Sequence, residues 1–351
     1  MTYGASLSAS PQITIRRTDA GFVLQSERSS CLSAFFKGKS IGTVQTLLTS
    51  LMGLCPVAHH EAFRVATTGV ADCQSTSLLA VEAMLESVRV FCVDWQVYAD
   101  DVHVHKGVLE ELGLLRQRLF EVLPTREASA VQRLLRDTQD FVRRFQDEYP
   151  LLLSVLLRRS GVFSDLSGLS VNYLLSHEQL KESQTIRYCL SQLAYDRDFA
   201  VKPHVNGVRI VGALARNWQA PGMASHWKIA SILVARWVEL SVWSYSDEAI
   251  EKTFTPSVHV SIDGWQVGLT ETVRGTLLHA VKVEGDILRD FHVIAPTEWV
   301  FQPKGLLMRL MDEFVANSRE LDARKKDDLK YLVALFDACT DIKILLGEDD
   351  A

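Results

Sequence analysis

The sequence predicts a mainly α-helical protein that carries small antiparallel β-sheets. Three observations lead to this fold class. Through the long middle of the chain, apolar residues recur every three or four positions, as on the buried faces of helices. Near the N-terminus and again after about residue 257, the apolar period changes to two, which is typical of strands. Asp-Gly and similar pairs separate the alternating segments and indicate hairpin turns.

The first element is a predicted β-hairpin over residues 12–26, where apolar residues alternate on both sides of Asp19–Gly21. A helical core is predicted over 43–248. One long helix carries an apolar stripe from Leu78 to Trp95, and Pro150 marks the end of another.

Two further β-hairpins are predicted over 257–295. The first turns at Asp263–Gly264 and the second at Glu284–Asp286. Helices return over 304–340 and complete the chain. No repeat or linker divides the sequence, so we predict a single domain over residues 1–351.

Composition excludes several classes of function. The chain has 351 residues with a net charge of −6, and 47% of its residues are hydrophobic. This balance is that of a globular protein with a large core, and it gives no sign of binding to nucleic acid or to an anionic membrane. No segment reaches the roughly 18 apolar residues of a membrane span. The N-terminal residues lack the pattern of a signal peptide, so we expect a cytoplasmic protein with free thiols.

Two cysteines lie in short motifs that look like halves of a metal site. Cys55 lies in MGLCPVAH and Cys339 in DACTDI. A second cysteine three positions away would complete a CxxC pair, but Met52 and Ile342 occupy those positions. Taken alone, each cysteine is typical of a small buried apolar residue. Cys55 directly precedes a predicted helix, whose N–H groups are expected to stabilise its thiolate.

Read together, the two motifs resemble the large subunit of nickel–iron hydrogenases. That family has R-x-C-G-x-C-x-x-x-H near its start and D-P-C-x-x-C near its end. Its four cysteines hold nickel and an iron that bears cyanide and carbon monoxide. Cys55 and His59 match the second cysteine and the histidine of the first motif, and Asp337 and Cys339 match the start of the second. The resemblance implies that Cys55 and Cys339 bind metal, with His59 beside them.

A third stretch extends the resemblance. Glu271–His279 is similar to the family's E-x-P-R-G-x-L-x-H, and Ala295–Val300 is similar to V-P-[ST]-x-W-N. The resemblance implies that Arg274 and Thr297 donate hydrogen bonds to the two cyanides, and that Leu277 walls the diatomic ligands.

The same resemblance places the backbone of Ala295 and Pro296 in the lining of this pocket. A charged donor in a dry pocket makes strong, orienting hydrogen bonds to a bound anion, so the role implied for the arginine is physically reasonable.

The departures from the family are selective. Besides the changes at Met52 and Ile342, the family's proton-relay glutamate falls at Ser33 and the arginine before it at Ser30. The resemblance therefore implies that the iron side of the pocket is largely kept and that the nickel side is lost. This pattern resembles the hydrogenase maturation accessory proteins of the HupK/HoxV type.

That resemblance implies a non-catalytic scaffold that carries an Fe(CN)2(CO) unit without nickel. The expected partners are the hydrogenase large-subunit precursor and the chaperones that assemble the iron cofactor. Two alternatives stay open: a metal-free interaction protein that docks the maturation machinery, and an active hydrogenase with substituted ligands.

Overall fold

A computed structural model of the chain describes residues 13–26, 31–100, 102–164, 166, 174–204, 210–217, 228–254, 257–303, 305–316 and 321–346. Most of them lie in helices, and the predicted mainly α-helical class with small sheets is confirmed. Within these ranges no helix is long and apolar enough to cross a membrane.

The α-helices are α1 Cys31–Phe36, α2 Ile41–Leu51, α3 Pro56–Thr68, α4 Ser75–Arg89, α5 Lys106–Val122, α6 Ala128–Glu148, α7 Pro150–Ser160, α8 His177–Lys181, α9 Ser183–Tyr195, α10 Ala213–Asn217, α11 Ala230–Tyr245, α12 Asp247–Thr253, α13 Pro296–Val300, α14 Leu306–Val315 and α15 Ala323–Leu335. A π-helical turn, Val90–Asp94, continues α4. Short 3₁₀ segments cover Gln96–Tyr98, Gly161–Phe163 and Arg197–Val201.

The strands are β1 Ile13–Thr18, β2 Gly21–Ser26, β3 Val258–Ile262, β4 Trp265–Thr272, β5 Gly275–Glu284, β6 Ile287–Ile294 and β7 Ile342–Leu345. They form a three-stranded sheet in the order β2-β1-β7 and a four-stranded sheet in the order β3-β4-β5-β6. The two predicted C-terminal hairpins are therefore neighbours in one antiparallel sheet.

The β3–β4 turn follows the prediction from Asp-Gly. Asp263 and Gly264 have φ angles of 51° and 80°, the left-handed values that a two-residue hairpin turn requires and that these residue types tolerate best. Residue 12, the predicted start of the first hairpin, lies outside the described residues.

One strand was not predicted. After α15 the chain continues as β7, which pairs in parallel with β1, so that Ile13 lies opposite Ile342. The expectation that helices fill 304–340 is therefore wrong at its end, because α15 stops at Leu335. Asp337 takes the left-handed conformation, with φ 48°, which turns the chain out of the helical direction.

Helix α3 packs unusually close to the four-stranded sheet. A Cβ atom on Gly268 of β4 would lie 2.0 Å from the carbonyl oxygen of Ala62, so only glycine permits this distance. Helix α4 packs beside α3 and α6 and is buried along most of its length. These contacts bring the N-terminus of α3 and the middle of α4 to the same part of the molecule.

Candidate metal centre

Cys55 and Cys339 line one small cavity, although 284 positions separate them in the sequence. Seven of the eight residues singled out from the sequence lie in its wall: Cys55, His59, Arg274, Leu277, Ala295, Pro296 and Cys339. The cavity measures about 20 Å³, which is room for about one water molecule. The fold therefore assembles the two half-motifs and the arginine stretch into a single site.

Cys55 caps α3, but the helix N-terminus is already occupied. The side chain of Glu82 accepts hydrogen bonds from the backbone N–H of Val57 at 2.6 Å and of Ala58 at 3.2 Å. Burial, followed by the nearby Cys339 and Glu82, raises the pKa of the Cys55 thiol well above its usual value. The expectation that the helix stabilises a Cys55 thiolate is therefore wrong for the metal-free protein.

Cys339 lies in the segment between α15 and β7, rather than near the end of the final helix. Thr297 holds it at two points. The Thr297 hydroxyl donates to the cysteine sulfur at 3.1 Å and accepts from the backbone N–H of Cys339 at 3.2 Å. Thr297, which was expected to donate a hydrogen bond to a cyanide, therefore positions the thiol of Cys339.

Arg274 occupies the tip of the β4–β5 hairpin. Thr272 pairs with Gly275, and the Thr272 hydroxyl closes the turn by donating to the Gly275 carbonyl at 2.8 Å. The buried guanidinium donates through Nη2 to Glu86 at 2.6 Å and to the carboxylate of Asp337 at 2.8 Å. Its Nε donates to the backbone carbonyl of Asp337 at 2.9 Å. These contacts fix the arginine in the wall of the cavity.

Two further arginines, Arg216 and Arg236, donate hydrogen bonds to the backbone of this hairpin tip. Arg216 donates to the carbonyl groups of Thr272 and Val273 at 3.0 and 2.9 Å, and Arg236 donates to that of Val273 at 2.8 Å. Gly212 packs so tightly here that a Cβ atom would lie 2.6 Å from the backbone oxygen of the hairpin tip. The turn is therefore fixed on its outer side by charged hydrogen bonds and by close backbone contact.

Sequence reasoning missed two carboxyl groups of the cavity. Glu82 and Glu86 lie one turn apart on α4 and are both buried. Burial raises the pKa of Glu82 to about 8. Although burial acts in the same direction on Glu86, Arg274 and Arg89 outweigh it and lower the pKa of Glu86 to about 2. The available signal was their i, i+4 spacing, with Glu82 inside and Glu86 directly after the segment Leu78–Leu85, whose other residues are all apolar.

His59 lies in the cavity wall and is also part of a histidine pair. Its Nδ1 forms a hydrogen bond of 2.9 Å with Nε2 of His279 on β5. Burial lowers the pKa of His279 well below its usual value, and the neighbouring His59 adds to the effect. His279 packs against Phe63 and Phe291. The pair therefore ties α3 to the sheet beneath the site.

The residues that stand at the family's other motif positions, where the structure describes them, lie outside the cavity. Met52, at the end of α2, packs against the apolar cluster that contains Phe36. Ile342 is part of β7. The Ser33 hydroxyl donates to Asp290 at 3.4 Å, and Ser30 lies outside the described residues. Met52, Ile342 and Ser33 are not among the residues that line the cavity.

The site offers few donor atoms to a metal. Within the ranges that the structure describes, no group of three or more histidine, cysteine, aspartate or glutamate side chains is arranged to hold an ion. The two thiols of Cys55 and Cys339 suit a soft or borderline metal once they lose their protons. A metal bound by these two sulfurs needs its remaining ligands from another source.

The chain is similar to known proteins in sequence and in fold. No protein-family model matches the chain. It is 23% identical over 362 residues to the hydrogenase expression/formation protein HupK of Rhizobium leguminosarum bv. viciae, an alignment that covers 96% of this chain and 95% of HupK. It is 24% identical over 180 residues to the hydrogenase expression/formation protein HoxV of Cupriavidus necator, covering 47% and 45%.

These proteins are homologues of the chain. The resemblance to HupK and HoxV inferred from the motifs is thereby confirmed.

Solved hydrogenases share its fold. The Ni-Fe-Se hydrogenase from D. vulgaris Hildenborough in the reduced state superimposes with a TM-score of 0.59 at 14% identity, over 91% of this chain and 93% of the hydrogenase chain. An NAD+-reducing [NiFe]-hydrogenase superimposes with a TM-score of 0.58 at 14% identity, over 91% and 92%. The chain therefore has the fold of a nickel–iron hydrogenase large subunit.

Proposed function

We propose that the protein is a non-catalytic scaffold that carries an Fe(CN)2(CO) unit during maturation of the hydrogenase large subunit, and that it binds no nickel. One observation carries the proposal. Cys55, Cys339 and Arg274, which the motifs singled out in three distant parts of the sequence, line a single cavity. Two thiolates give a metal fewer protein bonds than four, which suits a carrier that must release its load.

The homologues support the broader role. HupK and HoxV are both described as hydrogenase expression/formation proteins, and a role in maturation follows for this chain. The partners we propose are the large-subunit precursor, as acceptor, and the chaperones that assemble the iron cofactor, as donors. The cytoplasmic location expected from the sequence remains a prediction.

Hydrogen chemistry is disfavoured by the side chains around the site. Hydrogenase catalysis needs a nickel ligand set and a group that moves protons. Met52 packs in an apolar cluster and Ile342 has no donor atom, so neither supplies a thiolate. A serine, Ser33, stands where the family has its relay glutamate. We therefore propose that the protein is not an enzyme.

Loading requires the cavity to widen. The present volume of about 20 Å³ accommodates about one water molecule, whereas an iron with three diatomic ligands is several times larger. Metals bind the thiolate form of cysteine, and burial opposes loss of the proton at Cys55 until a cation compensates it. We propose that the cyanides then accept hydrogen bonds from Arg274, in place of some of its present contacts.

Infrared spectroscopy tests the proposal. The full-length protein would be isolated after co-expression with the iron-cofactor chaperones. We expect absorption bands of metal-bound carbon monoxide and cyanide in the wild type, lost in Cys55→Ala and in Cys339→Ala. Cys73→Ala is the matched control, because Cys73 is exposed and does not line the cavity. Bands that persist in both cavity variants, or that never appear in the wild type, contradict a thiolate-held iron unit.

A metal-free docking protein is the second candidate, and the charge pairing at the site favours it. Arg274 is already paired with two carboxylates, Glu86 and Asp337, so the empty site has no unbalanced charge waiting for a ligand. Under this reading, the protein binds the maturation machinery through its large-subunit fold alone. The double variant Cys55→Ala, Cys339→Ala then leaves hydrogenase maturation in cells intact, whereas the carrier function requires it to fail.

A further inference from the structure

A second cavity adjoins the first and has not been assigned a role. It measures about 50 Å³ and lies between α11, the β4–β5 hairpin tip, α13 and the end of α15. The two cavities share Val273, Arg274 and Pro296 as walls. Because one water needs about 10–15 Å³ of such space, the second cavity has room for a molecule of a few heavy atoms.

Arg236 on α11 lines this cavity and has one buried donor without a hydrogen-bond partner in the described part of the chain. Its Nη1 donates to the carbonyl of Val273 at 2.8 Å, and its Nη2 donates to Asp337 at 2.5 Å. Its Nε is buried, and it has no hydrogen-bond partner in the structure as described. The whole residue is only 4% exposed. A buried charged donor without a partner is costly, and such an atom in a folded protein calls for a ligand or a water that the site receives.

The remaining lining sets the kind of molecule that fits. The charged residues that line the cavity are two arginines, Arg236 and Arg274, and one aspartate, Asp337. Because Arg274 is also paired with Glu86, the donor left for a ligand is Nε of Arg236. Much of the other surface is apolar, including Trp95 and Val300. An anion gains a strong charge-assisted hydrogen bond here, and an anion with a weakly hydrated body loses little on entering apolar surroundings.

We propose that this second cavity binds one small, weakly hydrated anion such as thiocyanate, with its acceptor end on Nε of Arg236 and its body against Val300. The site differs from the cysteine cavity, and its occupancy does not depend on iron. It also adjoins Thr297, the residue that holds Cys339. A bound anion would therefore lie behind the side chains that position one of the two thiols.

Thiocyanate itself is the probe. The metal-free, full-length protein would be titrated with potassium thiocyanate at constant ionic strength, and the infrared nitrile stretch would be followed. We expect one saturable band that is shifted from that of free thiocyanate. Arg236→Gln is expected to weaken binding by about tenfold or more, because the charge-assisted bond is lost. Val300→Phe is expected to abolish binding by filling the cavity.

Arg187→Gln serves as the matched control and is expected to bind like the wild type, since it removes an arginine from an exposed ion pair with Asp263. Arg274→Gln separates the two cavities. If it abolishes binding while Arg236→Gln does not, the anion lies in the cysteine cavity and the proposal fails. A wild type without a saturable band also overturns it.

Circular dichroism would check that each variant folds. Soaking wild-type crystals in selenocyanate tests the position of the bound anion without any substitution. An anomalous selenium peak within the second cavity, beside Arg236, supports the proposal. A peak elsewhere, or no peak, contradicts it.

Discussion

Arg274 and Asp337 are joined through both side chain and backbone. The guanidinium contacts the carboxylate of Asp337 at 2.8 Å and its carbonyl oxygen at 2.9 Å. Arg236 contacts the other carboxylate oxygen. The tip of the β4–β5 hairpin and the segment that leads to Cys339 are therefore held together by one aspartate between two buried arginines.

Replacing that aspartate should destabilise the fold. In Asp337→Asn the shape is kept but the charge is lost, and two buried guanidinium groups lose their shared partner. We expect the free energy of unfolding to fall by about 3 kcal/mol, as for other broken buried pairs. Urea denaturation measures the change.

The control for this variant is Asp263→Asn, which alters an exposed ion pair at a residue of similar backbone conformation. It should change the free energy of unfolding by about 0.5 kcal/mol or less. Equal effects of the two substitutions would contradict the role given to Asp337.

The Glu82 carboxyl group should make stability fall as the pH rises. Its pKa is raised by burial from 4.5 to about 8 in the folded protein, so the folded state binds a proton that the unfolded state has released. This contribution is fully present below about pH 4.5 and is lost as the pH rises through 8. Glu82→Gln removes the titration, so its free energy of unfolding should depend less on pH between 5 and 8 than that of the wild type. Urea denaturation at several pH values tests this, and parallel curves would argue against it.

His279 should act in the opposite pH direction. Its pKa is lowered by burial, so the stability that depends on the neutral ring is present above about pH 6.5 and is lost as the pH falls towards the lowered value. Gln at position 279 can keep the contact with His59 but does not titrate. The free energy of unfolding of His279→Gln should therefore decrease less than that of the wild type between pH 7 and 5. His105→Gln, at an exposed imidazole, is the control and should follow the wild type.

Gly268 should tolerate no side chain. In Gly268→Ala the new Cβ atom meets the carbonyl of Ala62 at 2.0 Å, so α3 must move away from the sheet and Cys55 with it. We expect a loss of about 3 kcal/mol or more in the free energy of unfolding. The same substitution at Gly113, inside α5 and with open space around it, should stabilise the protein by about 0.5 kcal/mol or more. Thermal unfolding of the two variants provides the comparison, and a neutral result at position 268 would be evidence against the close packing.

The sequence predicted those parts of the molecule that local pattern controls. Alternation around Asp263–Gly264 gave the correct turn, and the apolar stripe that begins at Leu78 gave a buried helix. Strand β7 was not predicted, because its pairing with β1 is a contact between distant parts of the chain and its four residues carry little periodicity of their own.

In the candidate site too, local motifs were predictable from the sequence and tertiary contacts were not. The motifs identified Cys55, Cys339 and Arg274, because resemblance can match residue types in order. They gave no sign of the partners of Arg274, since Glu86 comes from α4 and only the fold brings it near. The contacts of Glu82 with the N-terminus of α3 are likewise tertiary. Burial, which is the main cause of the raised pKa of Cys55, is also a property of the fold, and Cys339 and Glu82 add to it.

The parallel pairing of β7 with β1 has a consequence for biosynthesis. Its first register pair joins position 13 to position 342, so the strand that follows Cys339 can dock only after nearly all of this sequence has left the ribosome. Before that point, a nascent chain has emerged with Cys55 but without Cys339. Any cargo that requires both sulfurs must therefore wait until translation of this region has ended.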